Sequence, residues 1–347
     1  MRVQVRLKYS AFAALMGMMI LGTAQAQQSA GAPEQKSLTV MATSDVQIGG
    51  PWIVAREKGF FAEEGFDRVE LKLYSAAPPA FPGFASGELQ VMSHGEQPML
   101  TLVAADIPLS VLGIYSDLTG LHGMIASSGI KVAKDLEGKT LGVQKGSALE
   151  WYTRSFCKVY GCDITKVKIV NMPAPESIVA LANGIIDAYA GWEPFIGRAL
   201  DAGKGKGLHL LHYNNASRMS GSEGPRKIHS SYAMLYVAAP FLQKNPRTVD
   251  ALLRILIKSI NFTKTNRAEA AKIIAAEFKI SENIAASYID AVKFELTITN
   301  AIVENFQVTA DILFGEKLVK KRVDFAKTAL DTAPLKRVLP NAVTYGR

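Results

Sequence analysis

The chain has 347 residues, with 39 lysines and arginines against 31 acids, 48% hydrophobic residues and two cysteines. The balance of +8 is mild for this length, and no Lys/Arg block is interleaved with aromatics, which argues against nucleic acid as a partner. Past the first 26 residues, no stretch offers the roughly 18 uncharged apolar residues of a membrane span.

Chain order begins with a short basic segment, Arg2, Arg6 and Lys8, then an apolar run from Ala11 to Leu21 that closes on Ala24-Gln25-Ala26. This is the layout of a cleavable secretory signal over residues 1–26. Cleavage leaves Gln27, and no cysteine follows the apolar run, so the mature chain is expected to be exported, soluble and not lipid-anchored. Three of the 39 basic residues and none of the acids fall within residues 1–26, leaving +5 on the remainder. Residues 27–37 form a polar, small-residue tether, expected to be disordered.

From Leu38 onward, β-type runs alternate with helical patterns. Strands are predicted at 38–42, 69–74, 89–93, 109–115, 124–126, 140–143, 167–171, 188–190, 208–211 and 233–237. Helices fit 52–64, 80–86, 97–105, 148–160, 177–183 and 194–202 between them. Such alternation predicts parallel sheets wrapped by helices. After Phe241 the pattern turns to helices only, over 249–265, 268–278, 281–291 and 301–313, with Asn245-Pro246 as a cap and a proline at the first helical position. Leu252, Leu253, Leu256 and Ile260 recur at helical spacing and mark core.

Cys157 and Cys162 flank a predicted helix end at Gly161. A loop-stapling disulfide and two free thiols are equally compatible with that spacing. With no CxxC and no ligand spacing, they predict neither a metal site nor catalysis. His209 and His212 lie three apart on a strand, hence on opposite faces, and His94, His122 and His229 have no H-x-x-x-H or H-x-E companion. No metal and no cofactor are expected.

Several segments together resemble one family. They are Gly50-Pro51-Trp52-Ile53-Val54-Ala55-Arg56-Glu57-Lys58-Gly59-Phe60-Phe61, Ala85-Ser86-Gly87-Glu88-Leu89, Lys134-Asp135-Leu136-Glu137-Gly138-Lys139-Thr140-Leu141-Gly142-Val143, Ala180-Leu181-Ala182-Asn183-Gly184 with Trp192-Glu193-Pro194-Phe195, and Phe241-Leu242-Gln243-Lys244-Asn245-Pro246. In this order, behind a signal, the chain is similar to the nitrate/sulfonate/taurine-type solute-binding proteins of ABC transporters, a family that also includes receptors for thiamine precursors. The resemblance implies an α/β type II periplasmic-binding fold: two doubly wound lobes joined by two crossover strands, with a helical C-terminal part. Lobe one is then expected at 38–116 plus 231–347 and lobe two at 117–230, with crossovers near 115–122 and 229–233. It also implies a periplasmic location, a small polar ligand that is sulfonate-, taurine- or nitrate-like, an ABC permease as membrane partner, no nucleic acid, and a monomer.

Ligands of open α/β sheets sit at the carboxyl ends of parallel strands. Following each strand to that end yields the candidate ligand-binding residues Ser44, Asp45, Gln47, His94, Glu96, Ser147, Trp192 and Glu193. Ser75, Ala76, Gly95, Tyr115, Asp117, Gly146, Pro173 and Glu176 lie at the same ends. Ser147 and Glu150 also form an S-x-x-E capping box, so Ser147 has a structural role beside an oxyanion-binding one. Asp45, Glu96 and Glu193 suit a ligand with an amine or N–H donors, or else cap the helices that follow them. An amine- or pyrimidine-type ligand is therefore the alternative to a sulfonate. An exported enzyme on the same fold is a further alternative, since relatives include the thiamine-pyrimidine synthase and enzymes of menaquinone formation. The synthase's cysteine-rich motif is missing here, no G-x-S-x-G is present, and export argues against both activities. The chain is expected not to be an enzyme.

Overall fold

The computed structural model describes residues 31–214, 228 and 230–346. The predicted signal and the first residues of the tether therefore lie outside the described residues. The chain enters with β1 (Ser37–Thr43), α1 (Gly49–Glu57), α2 (Phe60–Glu63), β2 (Arg68–Tyr74), α3 (Phe81–Ala85), β3 (Val91–Gly95), α4 (Glu96–Ala104) and β4 (Leu109–Asp117). It crosses into β5 (His122–Ala126), β6 (Thr140–Val143), α5 (Ala148–Tyr160), β7 (Lys168–Asn171), α6 (Ala174–Ala182), β8 (Ala188–Trp192), α7 (Phe195–Ala202) and β9 (His209–Tyr213). It returns as β10 (Tyr232–Ala238) and continues through α8 (Ala239–Lys244), α9 (Pro246–Thr265), α10 (Arg267–Phe278), α11 (Glu282–Ala291), β11 (Lys293–Thr297), α12 (Asn300–Gly315), α13 (Phe325–Thr328) and α14 (Ala333–Val338).

Two sheets result, ordered β11-β4-β10-β3-β1-β2 and β7-β6-β8-β5-β9. They are mixed, where the alternating pattern predicted parallel sheets. In the first, β1 is parallel to β2 and β3, while β10 runs antiparallel to both β3 and β4. In the second, β6 is parallel to β7 and β8, while β5 runs antiparallel to β8 and β9. The reason is topological: β5 and β10 each start at the crossover, so they enter their sheets from the end at which the parallel strands finish. Each sheet has its own core, around Trp52, Tyr115, Leu256 and Phe306 in the first and around Tyr152, Phe156, Tyr189 and Ile196 in the second.

Three local differences from expectation have physical causes. The predicted helix over 52–64 is two helices, because Gly59 adopts φ +74° between α1 and α2, a conformation that side chains disfavour. The region after Phe241 contains a strand as well as helices. In β11, Phe294 and Leu296 are buried while Lys293 and Glu295 face out, a period of two within Lys293-Phe294-Glu295-Leu296. The end of the tether is tied down rather than loose: Glu34 accepts the Arg247 and Thr248 amides at 3.0 and 2.7 Å, capping α9. Burial works against its charge, but those amides outweigh it and hold the Glu34 carboxyl below its ordinary pKa. Asn245, expected as that cap, instead donates to the Phe241 carbonyl at 3.0 Å.

The crossovers are laced together where they pass. Leu118 N donates to the Ser231 carbonyl at 2.8 Å, Asn214 Nδ2 to the Thr119 carbonyl at 2.6 Å, and Asn214 N to the His122 carbonyl at 2.9 Å. Cys157 and Cys162 form a disulfide across the end of α5, where Gly161 takes φ +82°. That settles the spacing in favour of the staple.

Candidate functional site

The turn after β1 is built by its own residues. Asp45 Oδ1 accepts the Ile48 amide at 2.6 Å, and the Asp45 carbonyl accepts the Gly49 amide at 3.0 Å, so the chain reverses into α1. A Cβ on Gly49 would stand 2.5 Å from the Thr43 carbonyl oxygen, so only glycine allows this close approach of turn and strand. Tyr115 and Ser116 at the end of β4 brace the same turn, donating to the Ile48 and Gln47 carbonyls at 2.9 and 2.8 Å. Gln47 and Asp45 are thereby fixed, each 2% exposed, at the carboxyl end of β1.

A cavity lies between the two sheets at this point. The first sheet supplies Thr43, Asp45, Gln47, Ile48, His94, Gly95 and Pro98, and the second His122, Ser147, Ala148 and Trp192. Ala76 and Ala77, which follow β2, and Leu118 and Ser231, from the crossovers, close its sides. Its walls are largely apolar. No lysine or arginine is among the described lining residues.

The titratable groups here are set by burial. Desolvation pushes the Asp45 carboxyl up to about 7, against the pull of the Thr43 hydroxyl and the amides of the turn. His94 is driven down to about 4 and His122 to about 3 by the same cause, so both imidazoles are neutral. His94 Nδ1 meets the Gly95 carbonyl at 2.9 Å and Nε2 meets the Tyr236 hydroxyl at 2.5 Å. In the neutral ring this makes Nδ1 the donor and Nε2 the acceptor. Ser147 caps α5: its hydroxyl donates to the Gln144 carbonyl at 2.6 Å and accepts the Leu149 amide at 3.3 Å. Glu150 completes the box on Gly146 N at 3.0 Å, one residue earlier than the usual partner. Trp192, 9% exposed, meets Phe195 edge-on with ring centroids 6.1 Å apart.

Of the predicted ligand residues, Asp45, Gln47, His94, Ser147 and Trp192 come together at the cavity. Ser44, Glu96 and Glu193 do not line it. The Ser44 amide pairs with the Tyr74 carbonyl at 2.7 Å. Glu96 is 1% exposed and spends Oε2 on the Tyr232 amide and the Ser231 hydroxyl, at 2.7 and 3.2 Å, with burial raising its carboxyl to about 7. It pins the returning chain. Glu193 accepts from Gly197 N at 3.1 Å, Tyr213 OH at 3.2 Å and Tyr288 OH at 2.8 Å, while its carbonyl accepts Gln47 Nε2 at 2.9 Å. Tyr288 stands on α11 and Gln47 after β1, so Glu193 joins the second sheet's lobe to the first.

His122 and Ser231 were missed because the rule of carboxyl ends applies to the parallel strands. The antiparallel strands β5 and β10 present their amino ends to the cavity, and those ends begin at His122 and just after Ser231. Ile48, Ala77, Pro98 and Leu118 are apolar walls with no signal in sequence. Among the described residues, no cluster of three or more histidine, cysteine, aspartate or glutamate side chains is arranged to hold a metal ion.

Two doubly wound lobes joined by two crossovers, with a cavity between them at the strand ends, define the type II periplasmic-binding-protein fold. The chain belongs to the family described as NMT1/THI5 like, whose pattern matches residues 49–270. It is 27% identical over 310 residues to a protein of Bacillus subtilis (strain 168) named for aliphatic sulfonate binding, covering 85% of this chain and 88% of that one. A protein of Escherichia coli (strain K12) with the same name is 25% identical over 257 residues, covering 72% and 76%. Among solved structures, the periplasmic aliphatic sulphonate binding protein from Escherichia coli superposes with a TM-score of 0.68 at 19% identity, covering 86% of this chain and 92% of that one. The desulfurization enzyme DSZB superposes with a TM-score of 0.66 at 17% identity, covering 88% and 99%, so the fold also carries catalysis.

Proposed function

We propose that this chain is an exported, periplasmic solute-binding protein that encloses a small polar organic molecule between its lobes and delivers it to an ABC importer, without transforming it. The observation that carries this reading is the cavity itself, whose lining comes from both lobes, which the Gln47–Glu193 hydrogen bond joins. A ligand that touches both walls favours the closed arrangement by its differential affinity for it, and the closed arrangement is what a permease would recognise. Relatives named for sulfonate binding point to a sulfonate-like or related solute. Ser147 supports binding over acyl-transfer chemistry, because its hydroxyl proton is directed at the Gln144 carbonyl rather than at a base.

Micromolar affinity requires about −8 kcal/mol, which an enclosed cavity with an aromatic wall and a few charge-assisted hydrogen bonds supplies. The test is a thermal-shift panel of alkanesulfonates, taurine, nitrate, aromatic carboxylates, pyrimidines and polyamines, followed by mass analysis of every hit. A titrating rise in melting temperature with the compound recovered unchanged is expected. Recovery of a chemically altered compound would favour the enzyme reading instead.

A further inference from the structure

An acceptor is left unpaired at the cavity. Gln47 Nε2 donates to the Glu193 carbonyl at 2.9 Å. This fixes the amide's orientation, since flipping it would set two carbonyl oxygens against each other. Gln47 Oε1 is consequently buried with no hydrogen-bond partner, in a residue 2% exposed that lines the cavity. An unpaired buried acceptor of this kind is unfavourable until a donor reaches it. Asp45 lies two residues away on the same wall, with Oδ1 engaged by Ile48 N and its carboxylate at the cavity. Two of the neighbouring donors are already spent. Ser147 gives its proton to Gln144, and His94 gives its proton to Gly95 while receiving one from Tyr236.

We infer that the ligand presents N–H donors, foremost a protonated primary amine, to the Asp45 carboxylate and Gln47 Oε1, and that these two residues set the substrate class. The inference rests on the solute-binding reading above and narrows it. An ammonium group satisfies the orphaned oxygen and neutralises a carboxylate that burial otherwise disfavours. Both imidazoles at the cavity are uncharged, so neither competes with it. Because lobe two's Glu193 holds the Gln47 amide in place, the acceptor pair is complete only when the lobes are closed. Recognition of the amine and closure therefore reinforce one another. The opposite wall, where Ala148 opens α5, still suits an oxyanion. An aminoalkanesulfonate satisfies both walls and a plain alkanesulfonate only one.

The test is isothermal titration of the full chain, refolded from denaturant to strip any co-purified solute, with matched pairs: taurine against ethanesulfonate, propylamine against propanol, and 4-aminopyrimidine against pyrimidine. The amine-bearing member of at least one pair is expected to bind about tenfold or more tighter, a difference of 1.4 kcal/mol. Asp45→Asn and, independently, Gln47→Leu are expected to erase that preference. The melting temperature of each unliganded variant verifies that it folds. Equal or tighter binding of the amine-free members overturns the inference and leaves solute binding standing. Absence of binding by every amine-bearing probe also overturns it. If no probe binds and no small molecule is extracted from the purified protein, the solute-binding reading falls with it.

Discussion

Tyr288→Phe isolates the bond that most directly holds the lobes together. Tyr288, on α11 and 7% exposed, donates at 2.8 Å to Glu193 Oε2, whose other donor is the Gly197 amide at 3.1 Å. The substitution keeps the ring and its packing and removes one hydrogen bond to a buried carboxylate, worth about 1.5–3 kcal/mol. Taking about 2 kcal/mol, the equilibrium between closed and open forms shifts by roughly thirtyfold toward open. Two measurements read this: urea unfolding, where stability falls by about 2 kcal/mol, and small-angle scattering of the unliganded protein, where the radius of gyration rises. A loss under about 0.5 kcal/mol, the scatter expected of a neutral surface change, together with an unchanged scattering curve, would refute Glu193 as the clasp.

Other consequences follow from the same geometry. Trp192→Ala removes an aromatic wall of the cavity and should weaken ligand binding about tenfold or more while leaving the circular dichroism spectrum unchanged; retained affinity would remove Trp192 from the site. The Asp45 carboxyl is raised from 3.8 to about 7 in the folded protein, so between those values the folded state binds more protons than the unfolded and stability falls as pH rises. Asp45→Asn should therefore stabilise the unliganded protein at pH 8, by at most about 4 kcal/mol, and give no advantage at pH 4. His94 and His122, which line the same cavity, and Tyr115, which feels the Asp45 charge, are common to both proteins, so an equal stability difference at the two pH values would count against burial as the cause. Reducing the Cys157–Cys162 disulfide, which closes a short loop of sequence separation 5, should cost about 2 kcal/mol in denaturant unfolding. A larger loss would mean that α5 depends on the staple for more than loop entropy.

The positions of the strands and helices up to β10 were legible because hydrophobic period and turn residues agree there, as in α5, which runs from the Ser147 cap to Gly161. Strand direction was not, because a run of apolar residues reads the same whichever end faces the cavity. This is why the rule of strand ends passed over His122 and Ser231 while it placed Asp45, Gln47, His94, Ser147 and Trp192 at the cavity. Glu96 and Glu193 show the opposite failure. Their positions at strand ends are as expected, but their carboxylates are consumed by Tyr232, Tyr288 and Tyr213, partners 20 to 136 residues away whose approach only the fold determines. β11 was legible in principle, since Lys293-Phe294-Glu295-Leu296 alternates, but it is short and lies amid helical sequence. Glu34 capping α9 from 213 residues away had no local signal at all.

A crystal structure of the protein with the tightest compound from the titrations would show whether a solute is enclosed between the lobes. Difference density for the intact compound is expected in the cavity, in contact with Gln47 on one lobe and Trp192 on the other. Density on the outer surface, on one lobe alone, or for a chemically altered compound would contradict it.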